Sequence, residues 1–293
     1  MVTGKGGVGK TTVAAALGLL AARAGKRTIV CEVARQDRLS GHFGVTPQGH
    51  DEHELAPGLA GISVDPERAR EEWLRRQLRS STLAGLVGGS RIFQLLAAAA
   101  PGLDELVTIG KVWDLAQLER RTEGAEYDLA IVDAPASGHS LGMLRAPRTY
   151  SEVARVGPVH RQAGIIDGFL RDRDSTAVVA VTVPEEMPVA ETLELERRLR
   201  DEVGIELHAV LVNAVLPERF SAAEAERIAT AEGDAIRPAL DAALAEHRQV
   251  RGQRAQLRRL RRAAGAPVAT LPYVFAVGVE QLDRLSHELE RRL

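Results

Sequence analysis

The feature that most constrains the fold of this 293-residue chain is the stretch 4–12, which reads G-K-G-G-V-G-K-T-T. It matches the phosphate-binding pattern G-x-x-x-x-G-K-[ST] at every fixed position, and apolar residues follow it at helical spacing. Such a loop joins a buried parallel strand to a helix whose positive end faces the phosphates. The pattern predicts an α/β fold with a mainly parallel P-loop NTPase sheet and helices on both faces.

Each position of this loop has an expected role. Lys10 reaches the outer phosphates of a nucleoside triphosphate, and Thr11 binds magnesium. The expected ligands are therefore ATP and Mg²⁺. The residues predicted to line the phosphates are consecutive: Gly6, Gly7, Val8, Gly9, Lys10, Thr11 and Thr12.

A second lysine, Lys5, follows the first glycine of the loop. In the K-G-G-V-G-K-T subclass of phosphate loops, this lysine serves the nucleotide of a facing subunit, as an arginine finger does. The alternative is a solvated loop lysine with no role in catalysis. The first interpretation predicts a dimer in which Lys5 and Lys10 both contribute to catalysis.

Composition bounds the function class. A net charge of −2 gives no basic field for nucleic acid, so we expect no specific nucleic-acid partner. The sequence has no run of about 18 apolar residues and no secretory leader, which predicts a cytoplasmic protein.

Only three residues precede Gly4, whereas the strand before a phosphate loop has roughly 4–8 residues. We therefore expect a natural upstream extension of roughly 5–10 residues.

Apolar runs at 28–33, 129–133, 177–183, 207–213 and 268–272 predict the strands. Asp133 and Asn213 end two of them, at the edge where open α/β sheets bind ligands. Asp133 has the position of the magnesium-side acid of P-loop enzymes, although a capping aspartate is the alternative. Residues 134–140 are predicted to form a loop of small residues that senses the γ-phosphate. The chain reads as one domain, 1–293, with helical insertion at about 66–120 and 146–172.

Together these segments resemble the ATPase family that includes the arsenite-pump motor ArsA and the ATPase that targets tail-anchored membrane proteins. Besides the loop, 101–105 (P-G-L-D-E) resembles its P-G-[IL]-D-E segment and 133–141 (D-A-P-A-S-G-H-S-L) its second switch. Pro184-Glu185 and Glu191-Thr192 also match in kind and order. The resemblance implies that Asn213 and the segment Pro272, Tyr273 and Phe275 hold adenine.

The sequence departs from that family at the first switch. The family carries D-P-A-H or D-P-A-K there, with the Asp as base for the attacking water, whereas residues 33–37 read V-A-R-Q-D. Ala34 takes no proton, so either Glu32 or Asp37 substitutes or hydrolysis is weak. The single cysteine, Cys31, cannot form the zinc-binding C-x-x-C or the arsenite site of relatives, which disfavours arsenite transport.

The resemblance implies a dimeric magnesium-ATPase that couples slow hydrolysis to handling of a hydrophobic or membrane-associated client. The dimer is a homodimer or a heterodimer with a related ATPase. One alternative is an ATP-binding regulatory or structural subunit that hardly hydrolyses ATP and pairs with a catalytic sibling. Another is a partitioning ATPase of the ParA type, which shares the two-lysine loop but not the G-H-[ST]-L switch.

Overall fold

A computed structural model describes residues 1–33, 37–77, 102–117, 126–231, 233 and 235–292. Within these residues one sheet runs in the order β3-β4-β2-β5-β1-β6-β7-β8, and only the β3–β4 pair is antiparallel. The predicted parallel sheet is thus confirmed. Its strands are β1 (Val2–Thr3), β2 (Thr28–Glu32), β3 (His53–Ala56), β4 (Leu59–Ser63), β5 (Leu129–Asp133), β6 (Val178–Thr182), β7 (Leu207–Val215) and β8 (Val268–Pro272).

Ten α-helices occur in the described part of the chain. They are α1 (Lys10–Arg23), α2 (Arg38–Phe43), α3 (Pro66–Gln77), α4 (Leu103–Leu115), α5 (Ser137–Ala154), α6 (Gly157–Arg171), α7 (Glu186–Arg198), α8 (Ala222–Thr230), α9 (Arg237–Ala263) and α10 (Val279–Glu290). Helix α7 continues into a π turn, Leu199–Val203, which ends at Gly204. A helix beginning at Lys10 is what the phosphate-loop pattern predicts.

The core lies on both faces of the sheet because successive strand residues point to opposite sides. In β2, Ile29 and Cys31 belong to the hydrophobic cluster on one face, whereas Val30 belongs to the cluster on the other. In β7, Val210 and Leu211 divide in the same way. All five residues of β2 are buried, as expected for a strand covered on both sides.

The central strand β1 is two residues long and lies between β5 and β6. Val2 is in register with Asp133 on one side and with Val179 on the other. The backbone of Met1 extends the pairing, since its carbonyl accepts from the N–H of Val179 at 2.8 Å. The phosphate loop therefore leaves the sheet directly beside the carboxyl end of β5.

Several predicted segments differ from the observed ones. Residues 137–140, predicted as loop, form the first turn of α5, because Leu141, Met143 and Leu144 bury one face of that helix in the core. The stretch 146–172, predicted as part of a helical insertion, contains the end of α5 and all of α6, with Arg155 and Val156 between the two helices. The apolar runs that predict strands do not include β3, which pairs with β4 at the end of the sheet.

The predicted helical insertion is described in part. Of residues 66–120, α3 and α4 are described and are helical, and the stretches 78–101 and 118–125 lie outside the described residues. Helices α3 and α4 pack together, and α5 and α6 pack together beside them. The assignment of these helices to an insertion within one domain stays a prediction.

Candidate functional site

The phosphate loop runs between β1 and α1 and requires glycine at both ends. At Gly4, with φ 144°, an added Cβ would lie 2.1 Å from the carbonyl oxygen of Val181. At Gly9, with φ 91°, it would lie 2.3 Å from the Asn213 amide nitrogen. No side chain fits at either position, and positive φ is itself unfavourable for other residues. The backbone is thus held in the shape that presents N–H groups to an anion.

The other loop residues divide between the surface and the core. Gly6 and Gly7 are exposed at the tip of the loop, whereas Val8 is buried and packs in the hydrophobic cluster around α1. Thr12 is buried within α1. The loop is therefore anchored at its centre and open at its tip, which leaves its backbone accessible to a ligand.

Thr11 and Asp133 meet at the base of this loop. The Thr11 hydroxyl donates to Asp133 Oδ2 at 2.6 Å, although the two residues are 122 positions apart. Asp133 is buried, and its Oδ1 has no hydrogen-bond partner among the described residues. Burial, with a smaller contribution from Glu32, raises the pKa of Asp133 to about 6. A buried oxygen acceptor without a partner suits a hard cation or a water bound to one.

The two loop lysines point in different directions. Lys10 Nζ donates to the carbonyl oxygen of Lys5 at 3.1 Å, and burial lowers the pKa of Lys10 while the nearby Asp133 opposes that shift. Lys5 Nζ contacts Glu191 Oε1 of α7 in the same chain at 2.5 Å. Lys10 thus lies over the phosphate loop, whereas Lys5 is turned toward α7.

The two candidate acids of the first switch both hold α2 in place. Glu32 is buried, and its Oε2 accepts from the backbone N–H of Leu39 at 3.1 Å. Burial raises the pKa of Glu32. Asp37 accepts from the Ser40 hydroxyl at 2.6 Å and from the backbone N–H of Gly49 at 3.0 Å. Ala34 lies outside the described residues, so its place in the site stays a prediction.

The residues predicted to hold adenine lie at the same edge of the sheet. The Asn213 amide donates to the carbonyl oxygen of Val8 at 3.0 Å, which ties β7 to the phosphate loop. Pro272 is in register with Val215 of β7, and the N–H of Tyr273 donates to that residue's carbonyl oxygen at 3.0 Å. Tyr273 is half exposed, and Phe275 is 94% exposed. Asn213 is hydrogen-bonded to the loop directly, whereas in the described structure no hydrogen bond joins Tyr273 or Phe275 to it.

Two contacts of the site were not predicted from the sequence. One is the ion pair of Lys5 with Glu191, and the other is the 2.6 Å hydrogen bond between the Thr3 and Ser140 hydroxyls. The second contact joins β1 to the first turn of α5, next to the phosphate loop. The paired residues are 186 and 137 positions apart, so no local pattern signals them. The match of Glu191-Thr192 to the family pattern was the only available signal, and it gave no partner.

Fold and site together define a P-loop protein of the α/β class with a phosphate-binding loop at the sheet edge. The family model described as anion-transporting ATPase (ArsA_ATPase) matches residues 1–163 and 154–232. The chain therefore belongs to the ArsA ATPase family, as its motifs predict. Membership implies nucleotide binding.

Relatives in other organisms are consistent with this assignment. The chain is 30% identical over 241 residues to ATPase BagA of Mycobacterium tuberculosis, covering 80% of this chain and 70% of that protein. It is 27% identical over 269 residues to ATPase GET3C of Arabidopsis thaliana, covering 75% and 68%. It is 25% identical over 253 residues to ATPase GET3 of Chaetomium globosum, covering 73% and 72%. In the described part of the chain, no helix has the length and hydropathy to cross a membrane.

Proposed function

We propose that this chain binds magnesium-ATP over residues 4–12 and acts as a dimer that opens and closes with slow ATP hydrolysis. The observation that carries the proposal is the arrangement of Thr11 and Asp133 below the phosphate loop, with the buried Asp133 Oδ1 unpartnered among the described residues. Thr11 and Asp133 would hold the magnesium ion. When bound, the ion would neutralise charge on the outer phosphates.

Lys10 binds the outer phosphates in the proposed complex. Its ammonium already lies over the loop, and the cost of burying that charge is offset when the anionic phosphates arrive. Asn213 supports the loop from below through its bond to Val8. The adenine lies toward Pro272, Tyr273 and Phe275, and the exposed rings of the last two are accessible to cover a base.

The proposed dimer uses Lys5 in trans. The side chains of Lys5 and Glu191 are 30% and 41% exposed, and an ion pair at such a surface contributes only about 0–1 kcal/mol. Release of Lys5 from Glu191 therefore costs little compared with the gain from a charge-assisted contact to the phosphates of a partner's nucleotide, about 1.5–3 kcal/mol. The balance favours transfer of Lys5 to the partner subunit once ATP is bound.

Replacing Lys5 tests this arrangement. We expect the ATP affinity of Lys5→Ala to be within about threefold of that of wild type. Its ATP-dependent dimerisation should be lost and its turnover should fall at least about tenfold, because the charge acts on the partner's nucleotide. Calorimetry, light scattering and phosphate release give the three values. Mixing Lys5→Ala with Lys10→Ala chains is expected to restore part of the turnover, since each mixed dimer pairs an intact Lys10 with an intact Lys5 across one nucleotide. Loss of binding as complete as in Lys10→Ala, without recovery in the mixture, contradicts the trans role.

The rate of hydrolysis is proposed to be low because Ala34 replaces the expected base. Glu32 and Asp37 are the remaining acids of the first switch, and both carboxylates hold α2 through hydrogen bonds. A positioned acid or base contributes about 10²–10⁴ in rate. A member of this family without one would work chiefly through ATP binding.

Single-turnover hydrolysis tests the role of Ala34. We expect slow turnover by wild type and a rise in rate of roughly tenfold or more in Ala34→Asp, because the new carboxylate can orient the attacking water. Glu32→Gln and Asp37→Asn are the matched variants, which keep shape and remove charge. Brisk wild-type turnover that collapses in one of them identifies a substitute base and rejects the weak-hydrolysis proposal.

The proposed client is a hydrophobic or membrane-associated protein. Two large apolar side chains are exposed at the turn between α5 and α6, where Val153 is 74% and Val156 is 80% exposed, and Ile165 within α6 is 50% exposed. Exposed apolar groups close together are typical of a binding surface. The second candidate, a regulatory subunit beside a catalytic sibling, is favoured by Ala34. The family match favours both of these candidates over a ParA-type function.

A further inference from the structure

Arg38 is the first residue of α2 and has a fixed backbone position next to the end of β2. On one side of it, the carboxylate of Asp37 is held by Ser40 and by the N–H of Gly49. On the other side, the N–H of Leu39 donates to Glu32. Arg38 is therefore anchored through both of its neighbours, beside a strand whose last residue is in register with Asp133.

Arg38 is exposed and, within the described residues, its guanidinium group has no carboxylate at ion-pair distance. The Arg38 backbone nevertheless lies close to the phosphate site. The backbone N–H groups of Arg38 and Leu39 both bond to the carboxylate of Glu32. Glu32 ends β2 in register with Asp133, whose carboxylate contacts Thr11 of the loop. The side chain of Arg38 therefore starts within one strand of the base of the phosphate loop.

The topology places Arg38 and Lys5 on opposite sides of the loop. In the sheet, β2 and β5 lie on one side of β1, whereas β6 lies on the other. Arg38 follows β2, and Lys5 is turned toward Glu191 of α7, the helix that follows β6. Arg38 is thus a third cation at the site, and it approaches from the side of Glu32 and Asp133.

We propose that Arg38 binds the terminal phosphate of ATP in its own subunit, an inference that rests on the proposed function. A guanidinium group offers paired N–H donors that match two phosphate oxygens, which a lysine cannot do. The side of the loop that carries Glu32 and Asp133 is the side of the terminal phosphate in the proposed complex. Arg38 accordingly distinguishes ATP from ADP and replaces part of the positive charge that the loop lysines would otherwise supply alone.

The affinities of ATP and ADP for four proteins test this inference: wild type, Arg38→Ala, Arg38→Lys and Arg259→Ala. Arg259 is a matched control, since it is exposed on α9 and has no ion pair in the described structure. We expect Arg38→Ala to weaken ATP about 10–100-fold and ADP less than about threefold, as for a lost charge-assisted contact to one phosphate. Arg38→Lys should lie between wild type and Arg38→Ala, and Arg259→Ala should match wild type.

The outcomes separate this inference from the proposed function. Unchanged ATP affinity in Arg38→Ala overturns the inference alone, and so does an equal loss of ATP and ADP affinity with a lower melting temperature, which indicates a structural role. Wild-type protein that binds neither nucleotide overturns the proposed function and the inference with it. A selective loss of ATP affinity at an unchanged melting temperature supports the role of Arg38.

Discussion

Lys10→Ala is expected to abolish measurable ATP binding, with a loss of affinity above about 100-fold. Lys10 is the cation that lies directly over the phosphate loop, where its Nζ contacts the carbonyl oxygen of Lys5. Burial lowers its pKa, so the free protein already bears the cost of a partly desolvated ammonium group. That cost is recovered only when phosphate oxygens become its partners, and alanine offers no substitute.

Isothermal titration calorimetry with magnesium-ATP measures this loss, and Lys26→Ala is its control. Lys26 is an exposed lysine just after α1, so the control removes the same charge away from the loop. The melting temperature of Lys10→Ala is expected to stay at or above that of wild type, because the variant removes a desolvated charge. Wild-type affinity in Lys10→Ala would mean that residues 4–12 do not form a phosphate site.

Local pattern is what made the phosphate loop predictable. The glycines at positions 4 and 9 are required by contacts with Val181 and Asn213, and the sequence shows the requirement without showing those contacts. The position of Asp133 was predictable for a similar reason. An acid at the end of an apolar run lies at the carboxyl edge of a parallel sheet, and the phosphate loop lies at that edge too.

Features that depend on distant residues were not predictable. The pairing of Lys5 with Glu191 joins residues far apart in sequence, and the sequence around either residue does not indicate the other as its partner. The start of α5 was missed because Ser137, Gly138 and Ser140 are poor helix formers, and tertiary packing of the following apolar residues overrides that propensity. Arg38 was missed because an arginine after a loop is ordinary until the fold places it beside Glu32.

The second large effect is expected for Asp133→Asn, which should separate stability from ligand binding. Asp133 has a pKa of about 6 in the folded protein against an ordinary value of 3.8. A raised pKa means that the proton stabilises the fold fully below pH 3.8 and that this contribution is lost as pH rises through about 6. The difference between these two pKa values corresponds to about 3 kcal/mol. Wild type therefore carries that cost at pH 7.5, and the neutral amide of the Asp133→Asn variant would not.

Denaturant unfolding of Asp133→Asn and wild type at pH 4 and pH 7.5 measures this difference. We expect similar stabilities at pH 4 and a variant more stable by about 2–3 kcal/mol at pH 7.5. Asp128→Asn is the matched control, and its effect on stability at pH 7.5 should have the opposite sign. Arg27 lowers the pKa of Asp128 to about 2, so the ionised form of Asp128 stabilises the fold above pH 4 and the amide does not. Magnesium-ATP should stabilise wild type and not Asp133→Asn, since binding adds stability only where the site is intact. Two results would show that this carboxylate is a structural group and not the magnesium-side acid. One is an Asp133→Asn protein less stable than wild type at pH 7.5, and the other is an Asp133→Asn protein that magnesium-ATP stabilises as much as it stabilises wild type.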